Sequence, residues 1–215
     1  AAVPVKTETE ITSSRFPRIW IGLATVALIA LVAAFFLDHA TAAWIGAHSS
    51  PELKRVMQTV SRVGDWPAHF IVGLIGIASA FVAKSKMWMR IFLAMLIALA
   101  LAGITGRAVK FATGRARPSI KTEVHWNGPR LSSKYHAFPS GHVAASSAFF
   151  VTLFFARKRI GAPLLVIPVL IGLSRMVVGA HYLSDVTFAA ILGVISALLA
   201  AHWFSIRSPQ SAISN

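Results

Sequence analysis

Residues 19–37 read IWIGLATVALIALVAAFFL and contain no charged side chain, and this run decides the fold class. A helix that crosses a bilayer needs about 20 mostly apolar residues. The whole chain has the same character, because 56% of its 215 residues are hydrophobic and only 13% are charged. Charged residues make up about 25% of ordinary soluble domains. The composition therefore predicts an integral membrane protein and excludes a soluble globule, a coiled coil and a disordered chain.

Five further apolar segments follow the first one. They cover residues 67–83, 88–108, 142–156, 162–179 and 183–204. We predict an all-α, polytopic membrane protein, a six-transmembrane-helix bundle formed by a single domain over residues 1–215, with tails at 1–16 and 205–215. The fourth segment is short for a span. Its N-terminal end is therefore expected at the membrane surface or in a cavity lined by protein.

The first segment has one other interpretation, a cleaved signal peptide. Arg15 and Arg18 would form its basic region, and Ala-Thr-Ala at 40–42 would be the cleavage site. The apolar part of a signal peptide is about 7–15 residues long, which is shorter than the 19–37 run. An uncleaved first helix is therefore preferred.

Two short basic loops indicate the orientation of the bundle. One contains Lys84, Lys86 and Arg90, the other contains residues 157–159, and neither has an acidic residue. Short basic loops stay on the cytoplasmic side of a membrane. We therefore expect both termini in the cytoplasm and the long loop between the third and fourth segments on the outer face.

Residues 51–63 predict a helix of a different kind. Ser50 is a suitable N-cap and Pro51 suits the first helical position. Apolar residues recur at helical spacing from Leu53 to Val63, with basic residues between them. The pattern indicates an amphipathic helix on the membrane surface or a connector that covers the bundle.

The charge balance narrows the class of ligand. Lys and Arg number 21 against 7 Asp and Glu, a formal net charge of +14. Such an excess is typical of proteins that bind nucleic acid, anionic lipid or phosphate-bearing ligands. The sequence has no recognisable nucleic-acid module, so we expect membrane lipids as partners and no nucleic acid. It also has no cysteine, which excludes a disulfide, a thiol nucleophile and a thiolate metal site.

Three clusters of polar residues lie on the predicted outer face. The first, residues 110–118, reads KFATGRARP and follows directly on an apolar helix. Its cations either set the membrane topology or bind phosphate, since guanidinium groups match phosphate oxygens in pairs and Lys supplies a point charge.

The second cluster is Pro139-Ser140-Gly141-His142, at the start of the fourth segment. Ser140 can cap the helix, and Gly141 lets the backbone approach a ligand closely. The free amides of a helix N-terminus attract an anion. His142 can transfer a proton near neutral pH.

The third cluster contains Arg175, His181 and Asp185. If His181 begins the last helix, Asp185 lies one turn further on the same face. Asp185 can then accept a hydrogen bond from one ring nitrogen and leave the other nitrogen free as a nucleophile or base. A helix-capping ion pair is the alternative interpretation.

Together the clusters resemble the three-part signature of the type 2 phosphatidic acid phosphatase family. Eleven fixed identities match in order, namely Lys110, then after six residues Arg117-Pro118, then Pro139-Ser140-Gly141-His142, then Ser174-Arg175, His181 and Asp185. Arg115 matches no fixed position, and we interpret it as a contact of a lipid head group.

The resemblance implies a six-helix enzyme that hydrolyses lipid phosphates with no metal and no cofactor, at a site related to vanadate-dependent haloperoxidases. By similarity, His181 attacks phosphorus and becomes a phosphohistidine, Asp185 orients His181, and His142 protonates the leaving oxygen. The phosphate oxygens are held by Lys110, Arg117, Ser140, Gly141 and Arg175.

The expected substrate is a lipid phosphate of the bacterial envelope. Candidates are undecaprenyl pyrophosphate, phosphatidylglycerophosphate, phosphatidic acid and lipid A 1-phosphate. The expected location is the bacterial inner membrane, multi-pass, and the orientation that the basic loops indicate places the site on the periplasmic face. A lipid phosphotransferase that uses the same phosphohistidine, and a non-enzymatic lipid-binding or transport protein, are the alternatives.

Overall fold

The computed structural model describes residues 8–120 and 122–206, and the side chains of residues 8–18 and 63 lie outside that description. Most of the predicted tails, 1–16 and 205–215, therefore fall on residues or side chains that are not described. Within the described ranges the chain forms α-helices joined by loops, one 3₁₀ turn and a single isolated β-bridge. The helices are α1 Glu8–His48, α2 Pro51–Val63, α3 Trp66–Val82, α4 Lys86–Thr113, α5 Gly141–Ala156, α6 Lys158–Leu164, α7 Val166–Val177 and α8 Leu183–Trp203, and the 3₁₀ turn is Ser133–Tyr135.

Several of these helices are long and apolar enough to cross a membrane. In the part of the chain that the structure describes, four segments meet this condition: α1 from Ile19, α4, the α6–α7 pair and α8. The pair α2–α3, bent by 41°, is a fifth candidate. Helix α5 has only 16 residues and is about 24 Å long at 1.5 Å per residue. The predicted all-α membrane bundle is confirmed, and its count of six spans is approximate.

Helix α1 differs from the prediction at its end. The apolar run stops at Leu37, but the helix continues to His48. Asp38 is only 2% exposed and lies 2.6 Å from Arg115, so its charge is compensated inside the protein. A paired carboxylate does not need to leave the membrane for water, and the helix therefore passes it without a break.

The predicted fifth span is divided into two helices. Helix α6 ends at Leu164, Leu165 separates it from α7, and the two together count as one span over Lys158–Val177. Pro168 has no N–H to donate to the carbonyl of Leu164, and this missing bond explains the division.

Helix α5 is the centre of the bundle and packs against α4 and α8. Small residues line these contacts and allow the backbones to approach closely. A Cβ on Gly193 of α8 would lie 2.5 Å from the Cβ of Ser147 and 2.8 Å from the amide of Ala148. Phe149 fills the interior on the α4 side with 1% of its surface exposed. The middle of α5 is therefore packed closely between its neighbours.

Helix α2 has the predicted amphipathic character and the predicted cap. The Oγ of Ser50 accepts a hydrogen bond from the amide of Leu53 at 3.1 Å. The helix packs against α7, and its polar residues Gln58, Ser61 and Arg62 line a small cavity of about 330 Å³ together with His142 and Arg175. It therefore covers one side of the polar clusters.

Candidate active site

Backbone hydrogen bonds bring the three sequence clusters together at one end of the bundle. The amide of Ala137 donates to the carbonyl of Arg115 at 3.0 Å, which joins the first cluster to the second. The amide of Ser140 donates to the carbonyl of Asp185 at 3.1 Å, which joins the second to the third. The loops that carry the polar residues are thus fixed relative to one another by main-chain contacts.

Three cations converge on the start of α5. Lys110 belongs to the last turn of α4, and its Nζ would lie 3.8 Å from a Cβ built on Gly141. The Nε of Arg117 donates to the carbonyl of Ser133 at 2.9 Å. Arg175, in the last turn of α7, interacts electrostatically with both Lys110 and Arg117. Like charges at close range repel one another, so this grouping is suited to a multiply charged anion.

Ser140 occupies the N-cap position of α5, as predicted, but its side chain does not cap the helix. The residue is fully buried, and its Oγ has no hydrogen-bond partner within the described chain. A Cβ on Gly141 would meet no heavy atom closer than the Nζ of Lys110. The first amides of α5 and the Ser140 hydroxyl are therefore free to bind an anion on the same side as Lys110.

His142 lies in the first turn of α5, between the cations and helix α2. Its Nε2 is 3.8 Å from Oδ1 of Asp65, which is the N-cap residue of α3. It also interacts electrostatically with Arg175, His181 and Lys110. His142 and His181 thus face one polar region from two different helix ends.

His181 is 3% exposed and lies just before α8. Its Nδ1 donates a hydrogen bond to the carbonyl of Ala137 at 2.6 Å, which leaves Nε2 with a free lone pair. Burial lowers the pKa of His181 to about 4, and the neighbouring Asp185 opposes this shift in part. The imidazole is therefore neutral at physiological pH and suited to nucleophilic attack.

The role expected for Asp185 changes in one respect. Its Oδ2 lies 3.7 Å from Nδ1 of His181, which is too long for a hydrogen bond, and the carbonyl of Ala137 is the acceptor instead. Oδ2 accepts from the amide of Tyr182 at 2.7 Å, and Oδ1 accepts from Arg115 at 2.5 Å. The carboxylate acts on His181 through its charge at short range.

Sequence reasoning missed a buried network that includes Asp185. Asp38, Arg115 and Ser184 form one hydrogen-bonded network with Asp185. Arg115 is 5% exposed, so the prediction that it contacts a lipid head group is wrong. The available signal was Asp38, because a carboxylate at the end of an apolar helix is costly unless it is paired.

The described residues contain no group of three or more His, Asp and Glu side chains arranged to hold a metal ion. The polar groups that converge on the start of α5 are instead cations, amides and two imidazoles. These are groups that bind and transfer a phosphoryl group.

Residues 91–209 match the family model described as PAP2 superfamily, which is more than half of the chain. The chain belongs to the PAP2 superfamily. The matched region contains every residue of the three sequence clusters, and the family resemblance inferred from their spacing is confirmed. This PAP2 protein is a multi-pass membrane protein and an enzyme of the phosphatase class.

Two curated relatives have related names. A lipid A 1-phosphatase of Rhizobium johnstonii is 28% identical over 211 residues, which cover 88% of this chain and 82% of that protein. The undecaprenyl-diphosphatase BcrC of Bacillus subtilis is 30% identical over 115 residues, which cover 50% of this chain and 58% of that protein. This PAP2 protein is thus similar over most of its length to a phosphatase that acts on a lipid.

Solved structures show the same fold. A PAP2-type phosphatidylglycerolphosphate phosphatase from Bacillus subtilis superposes with a TM-score of 0.67 and 22% identity, over 86% of this chain and 95% of that one. LpxE of Aquifex aeolicus gives a TM-score of 0.59 and 21% identity, over 77% of this chain and 95% of that one. At this level of identity the likeness establishes the fold.

Proposed function

We propose that this PAP2 protein removes phosphate from a lipid of the bacterial envelope through a phosphohistidine on His181. The observation that carries the proposal is the state of His181. The ring is buried and neutral, its Nδ1 proton is held by the carbonyl of Ala137, and it lies within electrostatic range of Lys110 and Arg175. A neutral imidazole with one nitrogen free, beside cations that bind phosphate, is what attack on phosphorus requires.

The reaction has two steps. The lone pair of His181 Nε2 forms a bond to phosphorus while the bond from phosphorus to the lipid oxygen breaks, and His142 gives a proton to that oxygen. His142 then takes a proton from a water molecule as the water attacks phosphorus, and the P–N bond breaks to release phosphate. The imidazole of His181 is neutral again at the end, and both protons are accounted for.

Fixed positive charge takes the part that Mg²⁺ plays in many phosphoryl transfers. Lys110, Arg117 and Arg175 bind the three non-bridging oxygens, on which charge develops in the transition state. The amide of Gly141 and the hydroxyl of Ser140 add uncharged donors at the positive end of α5. The mechanism is therefore proposed to need no metal.

An apolar cavity supports a lipid as the substrate. It has a volume of about 530 Å³ and lies between α3, α4 and α5. Its polar lining residues include Lys110, His142, Asp65 and Arg107. Its apolar lining includes Trp66, Phe70, Leu96, Leu99 and Ile104. In an in-line reaction the leaving group lies beside the general acid, so this cavity is placed to take the first part of the lipid tail.

Helix α2 is proposed to border the head group of the lipid. Its residues Gln58, Ser61 and Arg62 line the smaller cavity of about 330 Å³ together with His142, the proposed proton donor to the leaving oxygen. Replacing its exposed apolar residues Leu53 and Val56 with Ser would then raise KM for a long-chain substrate. An unchanged KM and kcat would contradict this role.

The names of the relatives direct the choice of substrates to test. Lipid A 1-phosphate and undecaprenyl diphosphate come first, followed by phosphatidylglycerophosphate and phosphatidic acid. The decisive experiment measures phosphate release from each lipid in detergent with EDTA, for the wild type and His181→Ala. Release that resists EDTA and is lost in the variant, with lipid binding retained, supports the proposal.

Other results would identify a different function. Release abolished by EDTA would contradict the metal-free mechanism. Lipid binding without release, in the wild type, would favour a binding or transport protein. Transfer of labelled phosphate to a second lipid, lost in His181→Ala, would identify a phosphotransferase.

We further propose that the site faces the periplasm and that the termini are cytoplasmic. The chain has no cysteine, so single cysteines can be labelled without a background. Ser132→Cys, in the loop before α5, and Lys158→Cys, at the start of α6, both lie at exposed positions. A thiol reagent that does not cross the inner membrane should label the first variant in spheroplasts and not the second.

A further inference from the structure

We propose that Asp38 and Arg115 are positioning residues that set the net charge beside His181, so that helix α1 is a functional part of the site. The inference rests on the proposed role of His181 as the nucleophile. It concerns a buried hydrogen-bonded network that joins Asp185 to helix α1.

Arg115 is the centre of this network. Its Nη1 donates to Oδ1 of Asp185 at 2.5 Å and to Oγ of Ser184 at 2.7 Å, and its Nη2 donates to Oδ2 of Asp38 at 2.6 Å. The two carboxylates therefore occupy opposite prongs of one guanidinium fork. This planar fork fixes both carboxylates in direction as well as distance.

Asp38 has more than one partner. Its Oδ1 accepts from the amide of Ser184 at 2.8 Å, and its Oδ2 accepts from the Ser184 hydroxyl at 2.6 Å. Ser184 lies in the first turn of α8. Asp38 thus binds α1 to the N-terminal turn of α8, where the helix dipole also favours a negative charge.

Aromatic rings keep water away from the network. The Cζ of Arg115 lies 4.4 Å from the ring centroid of Tyr182, 4.7 Å from that of Trp126 and 5.5 Å from that of Phe35. Asp38 is 2% exposed and Asp185 is fully buried. In such surroundings a unit charge acts strongly on its neighbours, because solvent does not screen it.

The balance of charge gives the network its function. Two carboxylates and one guanidinium sum to a net charge of −1, and Oδ2 of Asp185 lies 3.7 Å from Nδ1 of His181. When Nε2 attacks phosphorus the imidazole becomes positive, and a net negative charge at this distance stabilises it. Without Asp38, Arg115 would neutralise Asp185 and the net charge would be zero. Asp38 therefore preserves the negative charge of Asp185 for His181.

The test is a charge cycle measured on a lipid phosphate in detergent. Asp38→Asn changes the net charge of the network from −1 to 0. We expect kcat to fall about 10-fold, which is typical of residues that act through another residue. KM should stay within twofold of the wild-type value. The double variant with Asp38→Asn and Arg115→Gln returns the sum to −1, and we expect it to recover most of the lost kcat. Ala34→Leu is the control, since Ala34 is a buried α1 residue one turn before Asp38 and carries no charge.

Each result decides the proposal. An unchanged kcat in Asp38→Asn overturns it, and so does a double variant no more active than the single one. An equal loss of kcat in Ala34→Leu would assign the effect to the docking of α1 and would also overturn it. If His181→Ala keeps full activity, the proposed nucleophile is wrong, whereas loss in His181→Ala with a normal Asp38→Asn contradicts only the charge network.

Discussion

Gly114 lies between the end of α4 and the two arginines of the first cluster, and we predict that Gly114→Ala strongly destabilises the protein. The residue has a φ of 53°, in the left-handed region. A Cβ there would lie 1.8 Å from the carbonyl oxygen of Gly128. The left-handed conformation costs an alanine about 1–2 kcal/mol. The overlap adds to this energetic cost. A carbon and an oxygen atom approach no closer than about 3.3 Å, so the two segments must move apart by more than ~1 Å.

Gly128 provides a matched control on the other side of the same contact. Its φ is 67°, and a Cβ there would have no neighbour within 4 Å. Gly128→Ala therefore carries the conformational strain alone, and the difference between the two variants isolates the overlap. We expect a loss of about 1 kcal/mol for Gly128→Ala and at least ~3 kcal/mol for Gly114→Ala.

Thermal unfolding in detergent measures the difference. One kcal/mol corresponds to about 2–4 °C in the melting midpoint of a chain of this size. Gly114→Ala should therefore melt at least ~4 °C below Gly128→Ala. It should also lose activity, because Arg115 and Arg117 lie one and three residues after the displaced residue. Equal midpoints for the two variants would refute the close approach on which this reasoning depends.

Three further predictions concern the site and the core. Burial lowers the pKa of His181 from 6.5 to about 4. The protonation of His181 should therefore leave kcat/KM unchanged from pH 7 to 5 and lower it near pH 4. A pH–rate profile with a loss centred at 6.5 that is assigned to His181 would contradict this. His142→Gln should lower kcat for a lipid alkyl phosphate by about 10²–10⁴-fold but change kcat for p-nitrophenyl phosphate much less, since nitrophenolate leaves without a proton. Phe149→Ala removes a side chain that is 1% exposed, and we expect it to lower the free energy of unfolding by about 3–5 kcal/mol, measured by the melting midpoint. A loss below ~1 kcal/mol would contradict tight packing between α4 and α5.

The parts of this structure that depend on local patterns could be predicted from the sequence. Apolar length places α5 and α8 to within one residue of their observed limits and α4 to within five, and the cap at Ser50 places α2. The end of α1 could not be placed in this way. It depends on Asp38 meeting Arg115, which lies 77 residues further along the chain, and only the tertiary structure brings the two together.

For the site, the sequence predicted which residues take part but not every contact between them. The residues that converge on the start of α5 are the ones that the motif spacing singled out. The proton acceptor of His181 was not predictable, because it is a backbone carbonyl, that of Ala137, and any residue at that position would supply one. Sequence reasoning assigned this role to Asp185, the nearest side chain able to accept. In the structure the loop before α5 brings the carbonyl of Ala137 within hydrogen-bond distance of the ring instead.

The direction of the helices explains why one end of a simple bundle can supply all the groups for this chemistry. Helices α4 and α7 end at the site. Their last turns carry Lys110 and Arg175, whose positive charges are favoured at a helix C-terminus. Helices α5 and α8 begin at the site. Helix α5 presents free amides, and the first turn of α8 carries Asp185, whose negative charge is favoured at a helix N-terminus. Each helix end therefore stabilises the functional group placed on it. Helices that alternate in direction bring both kinds of end to the same membrane face, so cations for the phosphate oxygens and a carboxylate for the nucleophile lie side by side.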